Sequence, residues 1–179
     1  MLTLNNKIDH ADQIDGELVL PFELREKSRQ RARLASGEEV AVFTVRGTVL
    51  RDGDLLQGDD GRVIAVRAAQ EATYRVDCAT PRDLLRCAFH LGNRHTQVHV
   101  GDAGGAGFLR IHCDTVLKEM LEGLGASVTQ QEAPFEPESG AYANGGSHHH
   151  GDQPRNLLAP FPLRQKIHRP AQIEIDPKP

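Results

Sequence analysis

From Met1 to about Ala72, apolar residues recur in short, strand-length groups with no helical spacing. Glu17-Leu-Val-Leu-Pro21, Glu39-Val-Ala-Val-Phe-Thr-Val45 and Arg62-Val-Ile-Ala-Val66 each combine strand length with β-branched content. Asp-Gly turns at Arg51-Asp-Gly-Asp54 and Asp59-Asp-Gly61 would join them. The pattern predicts a small all-β N-terminal domain over residues 1–72. Within it, the basic run Arg25-Glu-Lys-Ser-Arg-Gln-Arg-Ala-Arg33 reads as a short helix or ribbon with a solvated face, a protein-docking patch being the alternative.

The texture changes at Thr73. Tyr74-Arg-Val-Asp-Cys78 predicts a strand, and Thr80, Pro81 and Asp83 open a helix with an N-cap and Pro at its first position. Leu84, Leu85, Ala88 and Leu91 share one face of that helix, and Gly92-Asn93 would end it in the left-handed conformation both residues accept. Strands over Thr96–Val100 and Phe108–Ile111 flank a Gly-rich turn from Gly101 to Gly107. A second helix over Asp114–Leu124 places Val116, Leu117, Met120, Leu121 and Leu124 in phase, with Gly125 as its stop, and Ala126–Gln130 is the last strand. The order βαββαβ predicts a ferredoxin-like domain over residues 73–142, so the fold class is α+β. Residues 133–142 read as an extended arm. Residues 143–179, rich in proline and without periodicity, read as a flexible His-containing tail.

Composition narrows the function. No apolar stretch approaches the roughly 20 residues that span a bilayer, and no basic segment precedes an apolar core at the start, so neither a membrane nor a signal peptide is expected. Three cysteines, Cys78, Cys87 and Cys113, with no CxxC spacing suit a reduced, cytoplasmic setting. Cys78 and Cys87 read as small buried hydrophobes. The net charge of −4 argues against a nucleic-acid partner, and two Tyr, six Phe and no Trp leave little for base stacking. Residues 143–179 carry five Lys/Arg against three Asp/Glu, so the acidic excess sits in the body of the chain.

The candidate chemistry lies in histidines. His95 follows Asn93-Arg94 at the end of the first long helix, on a turn at the domain rim. His148, His149 and His150 follow Asn144-Gly-Gly-Ser147. Imidazole is a borderline ligand for Ni, Cu and Zn, and no Cys/His quartet with structural-zinc spacing is present, so an open, exchangeable site is expected. One His95 is a poor site; two, brought together across a dimer axis, would share an ion, and the Gly-flanked tail histidines could complete the sphere. His112 and Cys113 open the second helix and are weaker metal candidates, since consecutive residues point apart; Asp114 reads as an N-cap. His90 supports the turn, and His10, His99 and His168 read as surface residues. No GxSxG, P-loop, HExxH or GxGxxG in a strand-turn-helix setting is present, so no enzyme is expected.

Several of these motifs, in order, resemble the urease accessory protein E family. They are His90-Leu-Gly-Asn-Arg-His95, the helix Val116-Leu-Lys-Glu-Met-Leu-Glu-Gly-Leu-Gly125, the arm Glu132-Ala-Pro-Phe-Glu-Pro-Glu-Ser-Gly-Ala-Tyr142 and the His-bearing tail. The resemblance implies a nickel metallochaperone of urease maturation that acts as a homodimer. It implies that His95 of each subunit faces its partner at a shared Ni²⁺ site, with C-terminal histidines as further ligands. The implied partners are the GTPase of the maturation system and the apo-urease assembly. Where some relatives have extra histidines, this chain has Cys113 and Thr115, so the resemblance does not carry over the peripheral sites of those relatives. A general Zn²⁺ or Cu²⁺ buffer, a non-catalytic docking module and a metal-dependent hydrolase remain as rivals.

Overall fold

A computed structural model describes residues 1–139; the predicted tail over 143–179, with His148–His150 and His168, lies outside the described residues. The first part of the chain builds a six-stranded mixed sheet from β1 (Leu2–Ile8), β2 (Gly16–Leu20), β3 (Arg29–Arg33), β4 (Glu39–Phe43), β5 (Leu55–Gly58) and β6 (Val63–Ala68). Their order is β2-β6-β5-β1-β4-β3, with β1 parallel to β4 and β2 parallel to β6. The three strands expected from the pattern are β2, β4 and β6. Their alternating Leu18, Leu20, Val40, Val42, Ile64 and Val66 pack with Leu2, Leu4, Leu50 and Leu56 into one apolar core.

A short helix, α1 (Phe22–Arg25), splits the basic run. Arg29, Arg31 and Arg33 line the exposed face of the edge strand β3. Arg25, expected on the same solvated face, is instead completely buried. It can be buried because its guanidinium donates to the carbonyls of Leu20 (3.2 Å), Leu50 (3.2 Å) and Phe135 (2.5 Å) and pairs with the Glu136 carboxylate. A buried cation with those partners keeps most of what it loses in hydration.

The second part runs β7 (Gln70–Asp77), α2 (Pro81–Gly92), β8 (His99–Ala103), β9 (Ala106–His112), α3 (Thr115–Gly123) and β10 (Ser127–Pro134). Its four strands are antiparallel in the order β10-β7-β9-β8. Thr80 caps α2 by accepting from Asp83 N–H, and Asp114 caps α3 by accepting from Leu117 N–H at 2.9 Å. Cys87, Leu91 and Leu121 face a core shared with Tyr74, Val76, Leu109 and Ile111.

Two helical positions depart from the expected apolar face: Leu85 and Val116 are each 71% exposed. The central face of each helix already fills the space over a four-stranded sheet. β8 also starts three residues later than expected, because Asn93–Val98 are used to leave the helix. Gly101 is required there: a Cβ at this position would lie 2.1 Å from the Phe108 ring that crosses it.

β7 starts earlier and β10 ends later than expected, since Gln70–Thr73 pair with Gln131–Pro134. The predicted arm therefore begins as strand. It continues through Phe135, completely buried against Phe22 of the first sheet's helix with ring centroids 5.7 Å apart.

Candidate metal centre

His95 sits on the turn that carries the chain from α2 to β8. The helix end is bonded through Asn93 N–H to Phe89 O at 3.0 Å and His95 N–H to Gly92 O at 2.9 Å. The left-handed residue that sequence reasoning places at Gly92-Asn93 is His95 itself, with φ of 54°, and Asn93 is right-handed. A non-glycine residue in this region costs roughly 1–2 kcal/mol of conformational energy, which the bonded turn holds in place. His95 is exposed, and His90 supports the same turn by accepting from Arg94 at 3.2 Å through its carbonyl.

Beside His95 lies a cavity of about 440 Å³ lined by Ala88, Gly92, Val98, Val100, Leu109 and Glu138, among others. Its wall is mostly apolar, with His95, Thr96, Gln97 and Glu138 as its polar lining residues. Phe89 (64% exposed) and Val100 (54% exposed) leave apolar surface on α2 and β8 near this turn.

The arm reaches this cavity from the far edge of the sheet. Glu136 N–H donates to His99 Nδ1 at 3.2 Å, and Glu138 N–H donates to Val98 O at 2.9 Å. His99 is therefore a half-buried anchor, where sequence reasoning placed a surface residue. Burial, with the Arg110 guanidinium as a second cause, holds its pKa below the ordinary value of 6.5. Sequence reasoning also did not place Glu138 near His95. The signal available was only the composition of the arm, which carries no information about where it docks.

The weaker candidates sit elsewhere. His112 Nε2 lies 3.1 Å from Glu71 Oε2, and its ring lies tilted against that of Phe135, 4.1 Å between centroids. Cys113 is exposed, and burial of its sulfur with the nearby Glu132 pushes its pKa up. Cys87 is buried and Cys78 half-buried, their sulfurs 3.8 Å apart. Burial and the Cys87 contact push the Cys78 thiol to about 12, so it is protonated at neutral pH and a poor nucleophile or ligand. Among the described residues, no three His, Cys, Asp or Glu side chains lie close enough together to hold a metal ion. No described helix is long and apolar enough to cross a membrane.

These features define an α+β protein of two sheets that presents one exposed imidazole on a conformationally constrained turn. The chain belongs to the UreE urease accessory protein family. Its residues 3–69 match the profile of the UreE urease accessory protein N-terminal domain, and residues 71–159 match that of the C-terminal domain. Among its relatives, the urease accessory protein UreE of Nitrosospira multiformis is 62% identical over 177 residues, covering 97% of this chain and 98% of the relative. That of Janthinobacterium sp. (strain Marseille) is 67% identical over 173 residues, covering 96% and 98%. That of Ectopseudomonas mendocina is 48% identical over 160 residues, covering 87% and 93%.

Proposed function

We propose that this chain is a cytoplasmic nickel metallochaperone that binds Ni²⁺ as cargo and delivers it for assembly of the urease metallocentre. Family membership supports the urease context, and the observation that carries the metal reading is the exposed His95 on its bonded turn. One imidazole leaves an ion mostly hydrated, so the site draws on donors beyond a single chain's described residues. A second copy of the chain supplies a second His95, and the exposed apolar surface of Phe89 and Val100 beside the turn suits such a homodimer. His148, His149 and His150 are further donors on the strength of the sequence. The βαββαβ order and the antiparallel strand order support reading the second sheet as ferredoxin-like.

The chain acts by ligand exchange and not by catalysis, handing Ni²⁺ to the GTPase of the maturation system and through it to the apo-urease assembly. An open imidazole site allows that exchange, and uptake weakens in acid, because a protonated ring cannot ligate. Zn²⁺ and Cu²⁺ bind the same donors in vitro, since nitrogen sites do not by themselves favour nickel.

Titration of Ni²⁺ into the wild-type chain and His95→Ala, with mass measured in parallel, tests the reading. The expected result is a tight site holding about one ion per two chains, lost in the variant. Tight binding unchanged in His95→Ala would sink it.

A further inference from the structure

The arm from Phe135 to Ser139 has no regular secondary structure, so its path is set by the hydrogen bonds that pin it. Two of these come from the sheet it crosses, at His99 and Val98. The others come from two arginines flanking the first sheet, one on α1 and one on a loop. Arg25 holds Phe135 and Glu136 from within the core. Arg51, on the loop before β5, donates to Glu136 Oε2 at 3.2 Å, to Pro137 O at 2.8 Å and to Ser139 Oγ at 2.7 Å. A single side chain thus contacts three of the five arm residues.

The arm in turn forms part of the cavity beside His95, through Glu138. We propose that Arg51 is a positioning residue for metal release: it fixes the arm, and the arm closes one side of the cavity that His95 lines. This rests on the reading of His95 as a nickel ligand. With the arm pinned, access to an ion at His95 from that side is restricted; with it loose, water and competing donors enter and the ion leaves faster.

Arg51 is also the anchor that can be removed cleanly. Its side chain is partly exposed, whereas that of Arg25 is completely buried. The loop that carries it is held independently of the guanidinium, with Arg51 N–H donating to the Asp54 carboxylate at 2.8 Å and Asp54 N–H to Arg51 O at 3.1 Å. Loss of the guanidinium should therefore loosen the arm beyond Glu136, which Arg25 still holds, without unfolding the loop or the sheet.

The full-length chain as wild type, Arg51→Gln, Arg51→Lys and His95→Ala provides the test. Amide hydrogen exchange is measured without metal, and release of preloaded Ni²⁺ into excess chelator is followed by absorbance. In Arg51→Gln, exchange at the Glu138 amide should rise about tenfold, the scale of losing one charge-assisted hydrogen bond, with Ile64 in β6 and the Glu136 amide, whose peptide carbonyl Arg25 still holds, unchanged. Nickel release should be several-fold faster in the same variant. Arg51→Lys, which keeps the charge but not the fork of donors, should lie between the two.

Wild-type protection of Glu138 in Arg51→Gln would overturn the anchoring. Faster exchange with unchanged nickel release would overturn the control of the site. If His95→Ala binds and releases Ni²⁺ as the wild type does, the underlying metal reading fails and the positioning role fails with it; the exchange data then show separately whether Arg51 pins the arm.

Discussion

A histidine whose Nδ1 accepts a backbone N–H cannot take a proton there without breaking that bond. His99 is in this position toward Glu136, and burial and Arg110 add to the cost of its charged form, while Glu136 and Glu138 act in the opposite direction. Its folded pKa lies below the unfolded value, so the unfolded chain binds the proton first as pH falls. The stabilising contribution of His99 is present above about 6.5 and is lost progressively as pH drops through its lower, folded value. His99→Gln, which keeps a hydrogen-bonding side chain but does not titrate in this range, should flatten the fall in melting temperature between about pH 7 and pH 5. Parallel curves for variant and wild type would show that the histidine is not the group responsible. The sequence marked His99 only as one histidine in a strand, and its role became visible once the arm that docks on it was in place.

At the scale of elements, α2 presents a core side of Cys87 and Leu91 and an outer side where Leu85 and Phe89, one turn apart, are exposed. Two large apolar residues on the outer surface of an otherwise charged helix suit a contact between copies. If copies pair as proposed, Phe89→Glu should shift the chain toward a monomer, seen as a halved mass by light scattering, while the melting temperature of the monomer's own core stays near wild type. A mass that does not change would remove this face from the proposed homodimer.

The strands and helices built on strong alternation or 3.6-residue spacing were legible in the sequence, as β2, β4, β6, α2 and α3 show. β1 was not, because its alternation fails after Leu4 in Asn5-Asn6-Lys7. β3 was not, because an edge strand with arginines on its open face carries almost no apolar signal. The identity of His95 as a turn residue was legible from the helix ending before it. Its left-handed backbone was not, because Gly92 and Asn93 are the residues that usually take that conformation and local preference gave way to the geometry of reaching β8.

Across the whole described chain, the two sheets meet at Arg25. Its carbonyl partners come from Leu20 and Leu50 on one side and Phe135 on the other, and its carboxylate partner is Glu136. Arg25→Met preserves bulk and removes every one of these bonds, leaving Glu136 with Arg51 alone. Loss of a buried, paired charge of this kind costs about 3–5 kcal/mol, so calorimetry should show a clearly lower midpoint, with the single transition broadening or splitting as the sheets uncouple. A midpoint within about one degree of wild type would mean that the arginine is dispensable to the join.

The two family profiles meet at residues 69–71, and a gene could be cut there as if between separable modules. The buried arginine makes that cut misleading. A fragment ending near residue 70 would keep a cation built to be dry with half its acceptors gone, and the complementary fragment would keep Phe135 and Glu136 facing solvent where Phe22 and Arg25 had been. A deletion of residues 1–72 would also remove the start of β7, which pairs with Glu132–Pro134. Activity lost on such a deletion would report the undoing of this join as readily as the loss of a docking surface, so the roles of the two halves are better separated by point substitutions than by shears.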